Sequence, residues 1–140
     1  MSVRQLSNSN QVFIDAYDPI NNTWEIRSSF DAPNTYGNMD VAYDSESSKI
    51  ILCYFIGTLY RYSYDYETDS WATLEEGGIS LHAESAMTYD IESDKMIYIR
   101  WIGSSTSLQT VSYDYNSDSY ELKSSLDFSG SIQDIAMTYD

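Results

Sequence analysis

The chain has 140 residues, of which 42% are apolar, and its 22 acidic and 7 basic residues give a formal net charge of −15. A chain of this length can bury the core of one ordinary domain. Its negative charge repels phosphate backbones and anionic lipid, which excludes nucleic acid and membranes as expected partners. The 14 Tyr, 3 Trp and 4 Phe are typical of half-buried β-strands.

Targeting signals and cysteine use bear on the compartment. The first eight residues contain no apolar core of signal-peptide length, and no segment reaches the length of a membrane span. The single cysteine, Cys53, lies in the apolar run of residues 50–56, where a buried, unreactive thiol is expected. We therefore expect no signal peptide and no transmembrane segment, which favours a cytoplasmic or virion-associated protein.

Two sequence markers recur three times each, at spacings of 46 to 50 residues. The first is a Tyr-Asp pair with an aromatic residue seven positions after the Tyr, and the second is a Tyr-Asp pair that follows small or apolar residues. Propeller blades repeat at about 40–50 residues, so two markers at one period indicate three blade-like repeats. The first marker consists of Tyr17, Asp18, Trp24, Tyr64, Asp65, Trp71, Tyr113, Asp114 and Tyr120. The second marker consists of residues 43–44, 89–90 and 139–140.

The predicted elements are strands joined by polar turns. The chain begins with a strand over residues 2–6, which corresponds to the second strand of a repeat, and the third and fourth strands follow before residue 37. The turns are rich in Asp, Asn and Ser, because these side chains bond nearby backbone N–H groups. A lone first strand is predicted over residues 132–139. The middle repeat is predicted to form strands over residues 39–43, 49–56, 58–66 and 70–74.

Residues 17–24, with the sequence YDPINNTW, resemble the kelch repeat, which carries a Tyr-Asp pair, a polar turn and a Trp. The resemblance covers nearly the whole chain, but single glycines, Gly57 and Gly103, replace the double glycine that usually ends the second strand. It implies an all-β fold, a kelch-like β-propeller with four-stranded blades, and a packing role for the marker aromatics. The related copper-containing propellers need a set of Tyr, Cys and His ligands, which His82 and Cys53 do not supply.

Three blades are too few to close a ring, because propellers typically have four to eight. We therefore expect a homodimer that forms a six-bladed ring, in which the strand over residues 132–139 of one chain completes the blade begun by residues 1–36 of the other. The remaining blades are residues 37–82 and 83–131. Alone, the chain would leave an unpaired strand and apolar blade faces in water. The alternatives are a piece of a longer chain, or a designed or fragment-derived propeller without a ligand.

The central channel offers one candidate site. The first strand of each blade lines the axis in propellers of this kind, and alignment on the second marker brings Asn38, Glu84 and Asp134 together, with Asp40 two residues further on. In two chains Glu84 and Asp134 supply four carboxylates, which either bind a cation or form a hydrated channel mouth. Beyond this cation we expect no cofactor.

The remaining candidates lie in loops, and none forms a catalytic group with a recognisable pattern. Glu75, Glu76 and His82 are either a metal or acid–base group or a solvated loop. The Asp-rich turns lack the glycine and terminal glutamate of an EF-hand, so ordinary turns are expected. The favoured function is a non-catalytic protein-binding or scaffold module with a basic protein partner, and the alternative is a glycan-binding or glycan-active propeller. The loops that would carry recognition are residues 31–38, 75–84 and 127–133.

Charge generates a prediction about association. Two chains that each carry −15 repel one another, and salt screens that repulsion. We expect the fraction of dimer measured by light scattering to rise between low and moderate ionic strength. A folded monomer obtained by dilution at low salt would contradict the ring.

Overall fold

The computed structural model describes residues 1–35, 37–56, 58–74, 85–102, 106–127, 129–130, 132 and 134–138. These residues form eleven antiparallel strands. None of them belongs to a helix with the length and apolar character needed to cross a bilayer. In chain order the strands are β1 (Ser2–Gln5), β2 (Gln11–Asp18), β3 (Thr23–Asp31), β4 (Asn38–Asp44), β5 (Lys49–Phe55), β6 (Leu59–Asp65), β7 (Ser70–Thr73), β8 (Ser85–Asp90), β9 (Lys95–Ile102), β10 (Ser107–Asp114) and β11 (Ser119–Asp127).

The strands form three sheets in which chain neighbours are also spatial neighbours. Sheet 1 contains β1 to β3, sheet 2 contains β4 to β7, and sheet 3 contains β8 to β11. The expected all-β fold with three antiparallel sheets is therefore confirmed. The strands predicted for the middle repeat agree with β4 to β7 to within one residue at each end. The described residues of this single chain do not close the sheets into a ring.

A hydrogen-bonded turn follows each Tyr-Asp pair in the described residues, and the turn after Tyr64 shows its plan. The carboxylate of Asp65 accepts the backbone N–H of Glu67 at 3.0 Å and of Thr68 at 3.1 Å. The Tyr64 hydroxyl donates to Oδ1 of Asp69 at 2.6 Å, and Asp69 has a φ of 51°. Short polar side chains tolerate this left-handed backbone better than others. The same positive φ occurs in the equivalent turns at Asn22, Ser48, Asp94 and Asp118.

Sheet 2 is covered on both faces, which explains the continuous apolar run in β5. Ile50, Leu52 and Tyr54 pack with residues of sheet 1, and the alternate residues Ile51 and Cys53 pack with residues of sheet 3. All five side chains are buried. Because successive residues of a strand point to opposite faces, a strand between two sheets needs apolar residues at every position.

A buried arginine joins sheets 2 and 3. The Arg61 guanidinium lies 4.7 Å from the ring centroid of Tyr120 and 5.1 Å from that of Tyr113, and its Nη2 lies 3.1 Å from Oδ1 of Asp118. Arg61 is 2% exposed, so its charge depends on these partners rather than on water. This one side chain connects β6 to the aromatic residues and the turn of the next sheet.

Substitution of Arg61 by Ala should lower the free energy of unfolding by about 3 kcal/mol, because it removes a buried cation from its carboxylate and from both rings. Arg27→Ala is the matched control, since Arg27 stacks on Tyr66 at 4.8 Å but is partly exposed, and it should cost less than about 1 kcal/mol. Urea unfolding of the two variants gives the comparison. A loss of less than about 1 kcal/mol for Arg61→Ala would show that Arg61 does not hold the sheets together.

Candidate functional site

The candidate channel strands β4 and β8 lie beside each other, and one hydrogen bond joins them. The Ser85 hydroxyl donates to Oδ2 of Asp40. Asp40 is partly buried, and this burial raises the pKa of its carboxyl above the usual value, while the hydrogen bond from Ser85 opposes the rise.

Cys53 lies opposite Asp40 on β5, and burial raises the pKa of its thiol to about 12. The cysteine is therefore protonated and unreactive at neutral pH.

The predicted ring of channel carboxylates stays a prediction. Asn38 opens β4 with its side chain exposed. The exposed Asp134 accepts the backbone N–H of Ile135 at 2.9 Å, which is a local contact. Glu84 lies outside the described residues, as do the loop candidates Glu75, Glu76 and His82.

The described loops and turns show structural roles for their polar groups. In the loop before β4, the carbonyl oxygen of Asn34 accepts hydrogen bonds from the Tyr54 hydroxyl at 2.7 Å and from Nε2 of Gln5 at 2.9 Å. The turn carboxylates of Asp18 and Asp65 accept backbone N–H groups of their own turns, as expected for ordinary turns. Within the described ranges, no three His, Cys, Asp or Glu residues converge as a metal site would require.

The aromatic residues of the first marker form a cross-strand pair in every sheet. The ring centroids are 5.1 Å apart for Tyr17 and Trp24 and 5.0 Å apart for Tyr64 and Trp71. The pair in sheet 3 has the same 5.0 Å separation. Trp71 also packs on Phe30 of sheet 1 at 4.5 Å. Arg61 of sheet 2 lies over the pair in sheet 3. The pairs in sheets 2 and 3 therefore each face the sheet that precedes them in the chain.

The pair in sheet 1 has no preceding sheet among the described residues, and it is open to solvent. Tyr17 is 42% exposed and Trp24 is 60% exposed, whereas Tyr64 and Tyr113 are both fully buried at 0%. Ile26, also at 60%, extends the apolar surface beside Trp24. An aromatic and aliphatic patch of this kind on a sheet face is typical of an interaction surface.

The rest of this outer face carries an ion pair on a phenyl ring. Nε of Arg4 lies 2.6 Å from Oδ2 of Asp15, and its guanidinium lies 4.7 Å from the Phe13 centroid. Arg4 lies opposite Phe13, four positions before the marker Tyr17. Tyr54 in sheet 2 and Arg100 in sheet 3 likewise lie opposite the residue four positions before the marker Tyr of their own sheet. Those two equivalents are buried. The outer face of sheet 1 therefore repeats, position by position, faces that are covered elsewhere in the chain.

The outer face of sheet 3 is the complementary open surface. On β9 the half-buried Ile97, Ile99 and Trp101 alternate with residues that are buried against sheet 2. Their pairing partners on β10 place them at the same positions as Ile51, Cys53 and Phe55 of β5, which pack on sheet 3. The outer face of sheet 3 is thus equivalent to the face of sheet 2 that packs on sheet 3. The outer face of sheet 1 is equivalent to the face of sheet 3 that receives it.

An open backbone edge accompanies these faces. Among the described strands, β1 pairs with β2 alone, so its other edge is free, whereas sheets 2 and 3 each have a further inner strand, β4 and β8. A groove of about 490 Å³ runs between β1 and β4, lined by residues that include Val3, Val41 and Ile50. Residues 132 and 134–138, predicted as a lone first strand, belong to none of the eleven strands that the described residues form.

No protein-family model and no curated protein sequence matches this chain.

The burial of Asp40 generates a prediction with a defined sign. A carboxyl whose folded pKa is raised stabilises the fold in its protonated form, and this contribution is complete below the unfolded value of about 3.8 and lost as pH rises through the folded pKa. Asp40→Asn should therefore raise the midpoint of thermal unfolding at pH 7, and the gain should vanish in acid.

Asp65→Asn is the control of opposite sign. The backbone N–H of Thr68 and the Lys49 ammonium lower the pKa of Asp65, so its carboxylate contributes stability above pH 3.8 that is lost as pH falls. This variant should unfold at a lower temperature than the parent at pH 7. If Asp40→Asn instead destabilises the protein at pH 7, the buried carboxylate has a partner that outweighs its desolvation.

Proposed function

We propose that this chain is one half of a kelch-like propeller, and that two copies close a six-bladed ring that acts as a non-catalytic binding scaffold. The observation that carries the proposal is the equivalence between the open faces of sheets 1 and 3 and the faces that are packed together at the internal junctions. A second copy of the chain is the one partner whose surface already contains both halves of such a junction. In this ring the blades are residues 37–82, residues 83–131, and residues 1–36 completed by residues 132–139 of the other copy.

The sequence of the tail supports exchange of a strand between copies. Residues 136–140 have the sequence AMTYD, which is identical to residues 86–90, the greater part of β8. β8 pairs with β9 so that Ala86 lies opposite Ile99 and Met87 opposite Tyr98. The equivalent register in the ring places Ala136 of one copy opposite Val3 of the other.

The groove beside β1 has the form that such a strand needs. Backbone groups along the free edge of β1 supply the hydrogen bonds for strand addition. The groove is lined by Val41, Ala42 and Tyr43, which also line the groove on the β8 side of β4, of about 390 Å³. An added strand with the sequence of β8 would give β4 a similar neighbour on each side.

The charge distribution is compatible with association despite the −15 of each chain. Asp15, on the outer face of sheet 1, is paired with Arg4. Five other carboxylates accept backbone N–H groups of the turns at the strand ends: Asp18, Asp44, Asp65, Asp90 and Asp114. Repulsion between copies therefore arises mainly at the rims of the sheets, where water and salt screen it.

The assembled ring would present the connections between blades to a partner. Residues 31–38 and 75–84 lie between consecutive sheets of the chain, and residues 127–133 would lead from sheet 3 to the exchanged strand. Loops on rigid scaffolds are where recognition commonly resides. The acidic rims favour a basic protein over an anionic ligand. Binding in pull-downs of a partner with basic character, lost at high salt, supports this function.

The exposed pair Tyr17 and Trp24 favours a second candidate, a glycan-binding protein. Aromatic rings open to solvent suit the apolar faces of sugars, and both rings are exposed in the single chain. The two functions are separable because the ring covers this pair, whereas a glycan site needs it free. Sugar-array binding by a monomer that is lost in Trp24→Ala supports the glycan function and contradicts the ring.

The strand register is tested by the double variant Val3→Cys with Ala136→Cys. Oxidation should give a covalent dimer of twice the 16.0 kDa chain mass on a non-reducing gel, because the two introduced thiols lie opposite each other across the junction. The native Cys53 is buried and does not compete. Val3→Cys with Ile135→Cys is the control, since a shift of one residue turns the thiol to the other face.

Two results contradict the proposal. An internal disulfide in a species that stays at 16.0 kDa would mean that the first and last strands join within one chain. Equal cross-linking of both variants would mean that the tail adds without register.

A further inference from the structure

One residue in each sheet occupies the position that faces the aromatic pair of the next sheet. Ile14, Arg61 and Thr110 each lie three residues before the marker Tyr of β2, β6 and β10. Because side chains alternate along a strand, all three point to the face opposite their own marker Tyr. Sheets 1 and 3 also share an irregularity at this point, a register shift between Ile14 and Asp15 and another between Thr110 and Val111. The backbones of the two sheets are therefore alike where this residue sits.

Two of the three positions are filled by contacts inside the chain. Ile14 is fully buried in a cluster with Tyr64 and Trp71. Arg61 lies over the aromatic pair of sheet 3, and its charge is paired with Asp118, the turn residue five positions after Tyr113. The two internal junctions thus differ at this position: an isoleucine faces the aromatic pair of sheet 2, whose turn residue is Asp69, and a cation faces the aromatic pair and the turn carboxylate of sheet 3.

The third position has no such aromatic pair to cover among the described residues of its own chain. Thr110 is half-buried on the outer face of sheet 3, and the open aromatic pair of the described sheets is that of Tyr17 and Trp24. The turn residue that corresponds to Asp118 in sheet 1 is Asn22, whose Oδ1 accepts the Tyr17 hydroxyl at 2.7 Å. The Thr110 hydroxyl and the Asn22 amide, both neutral, therefore occupy the positions that hold a cation and a carboxylate at the junction of sheets 2 and 3.

We propose that Thr110 of one copy packs over Tyr17 and Trp24 of the other, with Asn22 beside it, and that this neutral pairing specifies the junction between copies. The inference rests on the proposed two-chain ring. Of the three positions, the one that holds a cation faces a turn carboxylate, and the neutral Thr110 would face a neutral turn residue. An arginine at the Thr110 position would enter the junction without a counter-charge, which is strongly unfavourable in a desolvated contact. If the sheet 2 face that carries Arg61 packed instead on sheet 1 of another copy, Arg61 would meet the neutral Asn22 rather than a carboxylate. That wrong pairing is therefore disfavoured.

Transplanting the Arg61–Asp118 pair tests the inference. Thr110→Arg alone should weaken the dimer at least about tenfold, because it buries an unpaired charge. Thr110→Arg with Asn22→Asp should recover at least about tenfold of that loss, because the carboxylate then faces the cation across the junction. Sedimentation equilibrium of the parent, both single variants and the double variant gives the coupling between the two sites.

Asn116→Asp is the matched control for net charge. Asn116 lies in the turn after β10 and donates to Asp94 within sheet 3, away from the junction. Thr110→Arg with Asn116→Asp has the same charge as the test variant and should show no recovery. Equal recovery in both double variants would overturn the specific pairing and leave net charge as the cause.

A measurement on Trp24 does not depend on whether Thr110→Arg folds. Trp24 is 60% exposed in the single chain and should become protected from acrylamide quenching as the parent chain associates. The signal of Trp24 is the difference between the parent and Trp24→Phe. If the parent dimerises while Trp24 stays as accessible as in the monomer, the junction is formed by another face and the inference is wrong. If the parent stays monomeric at every concentration, the ring itself fails.

Discussion

Coverage of one aromatic pair per sheet is the constraint on which this architecture depends. Each pair consists of a Tyr on one strand and a second ring on the next, locked at about 5 Å by direct cross-strand pairing. Where a neighbouring sheet lies over the pair, the Tyr is fully buried, as in Tyr64 and Tyr113. Burial of large rings contributes most of the stabilisation in cores of this type. Sheet 1 presents the same pair to solvent, so the apolar face that still lacks a covering sheet is the one that carries Tyr17 and Trp24.

The turns and the core are connected through the same tyrosines. The hydroxyl of Tyr64 reaches the turn residue with left-handed backbone, and its ring packs between sheets 1 and 2. The Asp that follows each marker Tyr holds the turn through backbone N–H groups, which fixes the hairpin register and therefore which residues face the neighbouring sheet. A local turn signal thus determines a long-range packing surface. This explains why one short motif can recur in sheets whose other residues differ.

Much of the fold could be predicted from the sequence because the repeat is local. The spacing of Tyr-Asp pairs predicts the hairpins, and the continuous run in β5 indicates a strand covered on both faces. The role of Arg61 could not be predicted in this way. A single arginine in a strand is usually solvated, and its buried contact with Asp118 depends on how two sheets stack, which no local pattern encodes.

The candidate site was only partly accessible to sequence reasoning for a similar reason. Alignment of the first strands names Asp40 as a channel candidate, which stays a prediction, and the hydrogen bond from Ser85 to Asp40 was not anticipated. The exposed state of Tyr17 and Trp24 could not be anticipated from residue type, because their equivalents in the other sheets are covered. The repeats predict that a lone chain leaves apolar blade faces in water, and the missing information was which side chains of sheet 1 form that face.

Small-angle X-ray scattering of the purified chain over a range of concentrations tests the central claim most directly. The two-chain ring predicts a particle of twice 16.0 kDa whose scattering fits a flat ring of six sheets with a central channel. A compact particle of 16.0 kDa that remains folded at every concentration would contradict it.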